Sequence, residues 1–148
     1  MNKNSRIFET ERFSVALLTP FEARNLLSVL LQDEALAACV PWMTEKSQDG
    51  ALRAAFGIDL QCAAGQIRVW GIVSRERRMQ IGAVVARNTL EGIDVEVLVA
   101  SRFWDDGVAE EAGDAVTNWL SNDADGILDL VEHDYGKIMS AASIALLH

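Results

Sequence analysis

Apolar and polar positions follow two different periods along the chain, which indicates both strands and helices. The stretch ERFSVALL, residues 11–18, alternates apolar and polar side chains and predicts a strand. Thr19, Pro20 and Glu22 come next, at the spacing of a capping box with proline in the first helical position. Apolar residues then recur at helical spacing, so we expect this first helix to continue to about Ala38.

The same two periods predict the remaining elements. Leu52, Ala55, Phe56 and Leu60 lie at helical spacing and predict a second helix, which ends near Gly65. The stretches QIRVWGIVS and QIGAVVAR, joined by the basic turn RERRM, predict a β-hairpin. The further predicted elements are a strand over 93–100, a helix with Ala109, Ala112, Val116, Trp119 and Leu120 on one face, a short strand over 127–133 and a last helix from 136.

These elements follow the order β-α-α-β-β-β-α-β-α, which is typical of an α/β domain with helices flanking a central sheet. At 148 residues the chain is of single-domain size, so one domain over residues 1–148 is expected. No apolar run approaches the ~20 residues that span a bilayer, and the first residues show no secretory signal pattern. Cys39 and Cys62 lie in neither a metal nor a redox spacing, which favours a cytoplasmic protein.

The net charge is strongly negative, since 22 acidic against 13 basic residues give −9. Because such a chain repels polyanions, nucleic acids and anionic membrane surfaces are disfavoured as partners. A cationic substrate, such as an amine or a basic peptide end, would be attracted, although acidity also serves solubility without any partner. His133 and His148 have no further ligands at metal-binding spacing, so no metal site is predicted.

Two stretches of the chain carry a family resemblance. TERFSVALLTPFEA, residues 10–23, and ASRFWDDGVAEEA, residues 100–112, together resemble the GNAT superfamily of acetyl-CoA-dependent N-acetyltransferases, in particular the branch that acetylates ribosomal-protein N-termini. The resemblance implies a mixed central sheet flanked by helices, acetyl-CoA as cofactor, and a primary amine as acceptor, either a protein N-terminus or a small cationic amine. Family chains continue with two more strands that this sequence lacks. A homodimer that covers the resulting sheet edge is one expectation, and a truncated or naturally reduced chain is the alternative.

The resemblance also implies a cofactor site after the fourth strand. The family pattern Q/R-x-x-G-x-G/A aligns with residues 102–107, where Arg102 and Gly107 match and Asp105 replaces the first glycine. In the family, the backbone of this loop holds the coenzyme pyrophosphate and the end of the strand holds the pantetheine arm. The residues implied to contact the cofactor are Val97, Leu98, Val99, Arg102, Phe103, Trp104, Asp105, Asp106, Gly107, Val108, Ala109 and Lys137, the last in place of the usual asparagine.

Asp105 raises a question about this site, because its carboxylate would repel a phosphate. An aspartate before a helix is also a preferred N-cap, so it could bond the N–H of Gly107 or Val108 and fill the anion site itself. Four further acidic residues follow in the next turns of sequence, whereas Arg102 is the only nearby basic residue. The sequence leaves open whether Asp105 occupies the site or turns away from it.

Asp94 and Glu96 are the candidate bases, since a strand period of two places both on one face. The resemblance favours Asp94, with Glu96 as the reserve, while a solvated acidic strand face is the alternative interpretation. The resemblance implies that Ser140 donates a proton to the departing sulfur. Asp105, Lys137 and the missing strands keep a second hypothesis open, in which the chain retains the fold as a binding or assembly module without acetyl-CoA turnover.

Overall fold

The computed structural model describes residues 7–43 and 45–122, which form a five-stranded sheet with flanking helices. The strand predicted over 127–133 and the helix predicted from 136 lie outside the described residues. In chain order, the elements are β1 (Ile7–Glu9), β2 (Phe13–Leu17), α1 (Pro20–Leu30), α2 (Glu34–Ala38), α3 (Gln48–Ala63), β3 (Ile67–Ser74), β4 (Met79–Thr89), β5 (Gly92–Val99), a 3₁₀ helix (Ser101–Asp106) and α4 (Val108–Asn122).

The described strands pair in sequence order, β1-β2-β3-β4-β5, and every pair is antiparallel. The predicted β3–β4 hairpin is confirmed, with Arg78 in the left-handed region at φ 55°. The register shifts between Ile72 and Val73, and the carbonyl of Ile81, on the opposing strand, accepts the N–H of Ala100 just after β5 (2.9 Å). This bulge helps to fix where β5 ends.

The capping box at the start of α1 is confirmed. The Thr19 hydroxyl accepts from the Glu22 N–H (3.2 Å), and the Glu22 carboxylate accepts from the Thr19 N–H (2.9 Å). The expected single helix to Ala38 is wrong, because α1 ends at Leu30 and α2 begins at Glu34. Asp33 explains the break: its side chain caps the N–H of Leu36 (3.2 Å), a bond that an aspartate inside a continuous helix does not make.

The apolar face predicted for the second helix is only partly buried. In α3, Ala55 is fully buried, together with the small residues Gly50 and Ala51 and with Ile58. Leu52, Phe56 and Leu60 are each more than half exposed, so their helical spacing identified the helix but not its buried side.

The helix α4 packs on the face of the sheet that carries Trp70. Trp119 of α4 meets the Trp70 ring edge-on at 6.3 Å, and the residues of α4 that are fully buried are Ala109, Ala112, Val116 and Leu120. Side chains alternate along a strand, so residues that neighbour Trp70 point to the opposite face. No helix among the described residues is long and apolar enough to cross a membrane.

Candidate active site

The Glu96 carboxylate is held on the sheet face opposite α4. On β5, Glu96 pairs with Val85 of β4, and Val85 in turn pairs with Val69 of β3. These three side chains share one face of the sheet, whereas Trp70, the residue after Val69, lies on the face that α4 covers. Its Oε1 accepts hydrogen bonds from Trp42 Nε1 (2.8 Å) and from Arg87 Nη1 (2.9 Å). Both bonds end on the same oxygen, and no hydrogen bond within the described part of the chain reaches Oε2. Oε1 is therefore the anchored oxygen of this carboxylate.

Arg87 is the centre of this cluster. Its guanidinium stacks over the Trp42 ring at 5.0 Å, and its side chain is 24% exposed against 14% for Glu96. Arg87 Nη2 is buried and finds no hydrogen-bond partner among residues 7–43 and 45–122. The strand register places Asp94 directly opposite Arg87. Glu96 thus bonds the Arg87 guanidinium, and Asp94 is the cross-strand neighbour of Arg87. The sequence pattern did not single out Arg87, because its partners lie on another strand and in a loop.

A 3₁₀ helix occupies the stretch where the resemblance places the cofactor loop. Trp104 Nε1 donates to the Val99 carbonyl (2.7 Å), and the Ser101 N–H donates to Asp33 Oδ2 (2.7 Å), so the first residue and the middle of this helix are held in place. The side chains of Phe103 and Trp104 are each only 5% exposed, and those of Val108 and Ala109 are buried as well. Little of their side-chain surface is therefore available to a ligand.

Asp105 does not fill the anion site. Its side chain is exposed, as is that of Asp106, and no described residue hydrogen-bonds to the Asp105 carboxylate. Of the two arrangements that the sequence left open, the structure has the one in which Asp105 turns away. Gly107 takes the left-handed conformation that joins the 3₁₀ helix to α4 (φ 70°), a conformation that suits glycine.

The expectation that Arg102 alone offsets the acidic residues is wrong. The fold brings Arg12 to the start of α4, where its Nε bonds Glu111 Oε1 at 2.7 Å and its backbone N–H bonds Oε2 at 2.9 Å. Burial raises the pKa of Glu111, but bonds from the Thr10 hydroxyl and from the backbone and guanidinium of Arg12 outweigh it, so the pKa is lowered. Arg77, from the β3–β4 turn, also lies here.

Ser140 and Lys137 lie outside the described residues. Within residues 7–43 and 45–122, no group of three or more histidine, cysteine, aspartate or glutamate side chains is arranged to hold a metal ion.

The sequence of residues 15–142 matches the family model described as "Acetyltransferase (GNAT) domain". The chain therefore belongs to the GNAT acetyltransferase family. Its described elements, a sheet with helices on either side, match the GNAT fold. No curated protein matches the chain significantly.

Solved structures with the same fold include three ribosomal-protein acetyltransferases. A Vibrio cholerae protein assigned as a ribosomal-protein-serine acetyltransferase is 21% identical over 78% of this chain (TM-score 0.54). The chain spans 66% of that protein's length. The ribosomal-protein-S5-alanine acetyltransferase of Vibrio fischeri is 15% identical and covers 92% of this chain and 81% of its own (TM-score 0.59). A ribosomal L7/L12 alpha-N-protein acetyltransferase in complex with coenzyme A is 12% identical, over 80% and 70% of the two chains (TM-score 0.60). At these identities the similarity shows the fold.

The described residues fit coenzyme A in two respects. β5 is the last strand of the described sheet, so alternate N–H and C=O groups of residues 97–99 face away from β4 and could bond the amides of a pantetheine arm, while the side chains of Val97, Leu98 and Val99 are buried. Positive charge from Arg77 and Arg102 lies beside the turn where phosphates are expected. The turn itself departs from the family pattern, because a 3₁₀ helix with two exposed carboxylates stands in place of an open glycine turn.

Proposed function

We propose that the chain is an acetyl-CoA-dependent N-acetyltransferase that acts on a primary amine, with a protein N-terminus as the favoured acceptor class. The anchored Glu96 carboxylate, with Oε1 held by Trp42 and Arg87 and no hydrogen bond from the described residues to Oε2, is the observation that carries this proposal. The named activities of the three ribosomal-protein acetyltransferases with the same fold support the acceptor class.

Glu96 is the proposed proton acceptor. An amine attacks only after losing its extra proton, and a fixed carboxylate oxygen within hydrogen-bond reach can take that proton. Anchoring of Oε1 by two donors reduces the conformational freedom of the side chain and presents Oε2 in one orientation. Asp94 remains the alternative base, since it lies on the same face beside Arg87. By family resemblance, Ser140 is the proposed proton donor to sulfur.

Acetyl-CoA would supply an acetyl group activated as a thioester. The proposed binding groups on this chain are the outer backbone edge of residues 97–99 and the segment 102–109, joined by Lys137 through the resemblance. Sequestering the amine against the face that carries Glu96 would exclude water from the proton transfer. A homodimer and a cytoplasmic location are likewise proposals, the first to be tested by sedimentation equilibrium.

Mass spectrometry can test the reaction with a panel of peptides that begin with serine or alanine, together with spermidine. We expect an acetyl group on a free amine when the wild-type protein and acetyl-CoA are present. Glu96→Gln should lower kcat by about 10²-fold to 10⁴-fold. Glu91→Gln makes the same charge change at an exposed residue in the turn between β4 and β5 and should leave the rate unchanged. If Glu96→Gln and Glu91→Gln react at equal rates, Glu96 is not the base. If a third variant, Asp94→Asn, is the one that loses activity, Asp94 is the base.

The second candidate function is a binding or assembly module without turnover. The exposed carboxylates of Asp105 and Asp106 beside the expected phosphate position favour it. A folded wild-type protein that transfers no acetyl group and binds no coenzyme A would establish this alternative.

A further inference from the structure

A cavity of about 190 Å³ opens beside the first residue of α4. Arg12, Arg75 and Arg77 line it from the start of β2 and the β3–β4 turn, while Phe103 and Val108 supply apolar walls. A water molecule takes up about 30 Å³ in the liquid, so the cavity has room for a phosphate group. No other cavity described in the molecule combines three arginines with the end of the segment expected to hold a cofactor.

The three arginines differ in what already neutralises them. Arg12 is bonded to Glu111, and Arg75 lies 3.5 Å from a carboxylate oxygen of Glu9. Arg77 has no carboxylate oxygen within 4.0 Å among the described residues. Its positive charge is therefore the one in this cavity that remains available to an anion.

The position of Arg77 is fixed by the turn and by an aromatic ring. Its backbone N–H donates to the hydroxyl of the buried Ser74 (3.1 Å), which fixes the turn. Its guanidinium lies 5.4 Å from the centre of the Phe103 ring, and that of Arg102 lies 4.9 Å from the same centre. Both distances are within the range of a cation–π contact, so the Phe103 ring restrains the Arg77 guanidinium at the wall of the cavity.

Three carboxylates also line the cavity, those of Glu11, Glu76 and Asp106. All three residues are exposed to solvent, so water and salt screen their repulsion of an anion. None lies within 4.0 Å of an arginine nitrogen in the described part of the chain.

We propose that Arg77 binds a phosphate group of coenzyme A at this cavity. From the β3–β4 turn, its guanidinium would supply a phosphate contact in place of those expected from the glycine that Asp105 replaces. Guanidinium forks bind phosphate oxygens through paired, charge-assisted hydrogen bonds, which suits this role. The inference rests on the proposed function, since it assumes that the coenzyme is the ligand.

Isothermal titration calorimetry with coenzyme A tests the proposal on the full chain. Arg77→Gln should weaken binding by about fivefold to tenfold, which is typical of one lost charge-assisted contact. Arg78→Gln is the matched control. It removes the same charge one position further along the chain, and the Arg78 side chain does not line the cavity. Arg77→Lys keeps the charge but loses the fork, and should fall between wild type and Arg77→Gln. Equal effects of Arg77→Gln and Arg78→Gln would overturn the proposal.

Two further ligands identify the phosphate and separate this proposal from the proposed function. Dephospho-coenzyme A lacks the 3′-phosphate. If wild type and Arg77→Gln bind it with equal affinity, Arg77 contacts the 3′-phosphate of coenzyme A; if wild type still binds it more tightly, Arg77 contacts the pyrophosphate. Inorganic pyrophosphate is the third ligand. Binding of pyrophosphate that Arg77→Gln weakens, without any binding of coenzyme A, would support the anion site and contradict the acetyltransferase. Failure of the wild-type protein to bind any of the three would overturn both.

Discussion

Arg12 and Glu111 lie 99 positions apart in the sequence, yet two hydrogen bonds of 2.7 and 2.9 Å join them. The pair ties the residue before β2 to the first turn of α4. It also brings a guanidinium to Gly107, since a Cβ on that glycine would lie 3.5 Å from Arg12 Nη2. This contact therefore holds the start of α4 against the residue that precedes β2, two places that lie near opposite ends of the described chain.

Replacement of Glu111 should destabilise the fold. Glu111→Gln keeps the shape but removes the charge that both bonds use, and we expect a loss of about 1 kcal/mol in the free energy of unfolding, because Arg12 is partly exposed. The pKa of Glu111 is lowered in the folded state, so its stabilisation is present above the ordinary pKa of a glutamate and is lost as the pH falls.

Urea denaturation at several pH values measures this effect. The stability difference between wild type and Glu111→Gln should be largest near neutral pH and should shrink in acid. Glu91→Gln serves as the exposed control, with no expected difference. A difference that is constant with pH would show that the charge of Glu111 contributes nothing.

Trp42→Phe tests how Glu96 is held. The substitution keeps an aromatic ring beside Arg87 but removes the Nε1 donor to Oε1. We expect kcat of the proposed reaction to fall by about tenfold with little change in KM for acetyl-CoA, because orientation of the base is lost and cofactor binding is not. Steady-state kinetics measure the two constants, and a change in KM alone would place Trp42 in substrate binding.

Asp105→Asn should strengthen coenzyme binding. Removal of one exposed negative charge beside the phosphate position should raise affinity by about twofold to fivefold at low salt, and the gain should vanish at high salt. Asp49→Asn makes the same change at an exposed residue of α3 and should have no effect. Calorimetry at two salt concentrations measures both variants. If Asp105→Asn weakens binding, its carboxylate positions the turn and does not oppose the ligand.

Gly82 is required where β4 meets β5. A Cβ there would overlap the Leu98 carbonyl oxygen, so Gly82→Ala should separate the strands that position Glu96 and cost more than about 2 kcal/mol of stability. Gly57→Ala is the control, because a Cβ at this position in α3 meets nothing within 4 Å and should stabilise the helix by up to about 1 kcal/mol. Thermal unfolding distinguishes them, and an intact Gly82→Ala protein would mean that β5 can shift without cost.

Local patterns in the sequence predicted the local features of the fold. The capping box of α1 and the β3–β4 hairpin depend on residues a few positions apart, so spacing was sufficient to find them. The break before α2 was missed because an aspartate that caps a helix looks, in sequence, like one on its polar side. The buried side of α3 was also missed, because the sequence pattern followed the large apolar residues, whereas mostly small residues are buried there.

The candidate site could be predicted only in part. Asp94 and Glu96 were found because strand alternation places them together, but the Trp42 and Arg87 donors to Glu96 lie 54 and 9 positions away. The arginines around α4 were missed for the same reason, since Arg12 and Arg77 join that helix only through the pairing of the strands. Electrostatic arguments from neighbouring residues alone therefore overstated the negative charge at the cofactor loop.

Thermal unfolding with and without acetyl-CoA tests the central claim most directly. A ligand at about 100 times its dissociation constant stabilises the folded state by about 2.7 kcal/mol, so a clear rise in Tm is predicted at saturating acetyl-CoA. An unchanged Tm at millimolar acetyl-CoA would contradict the account of this chain as an acetyl-CoA-dependent transferase.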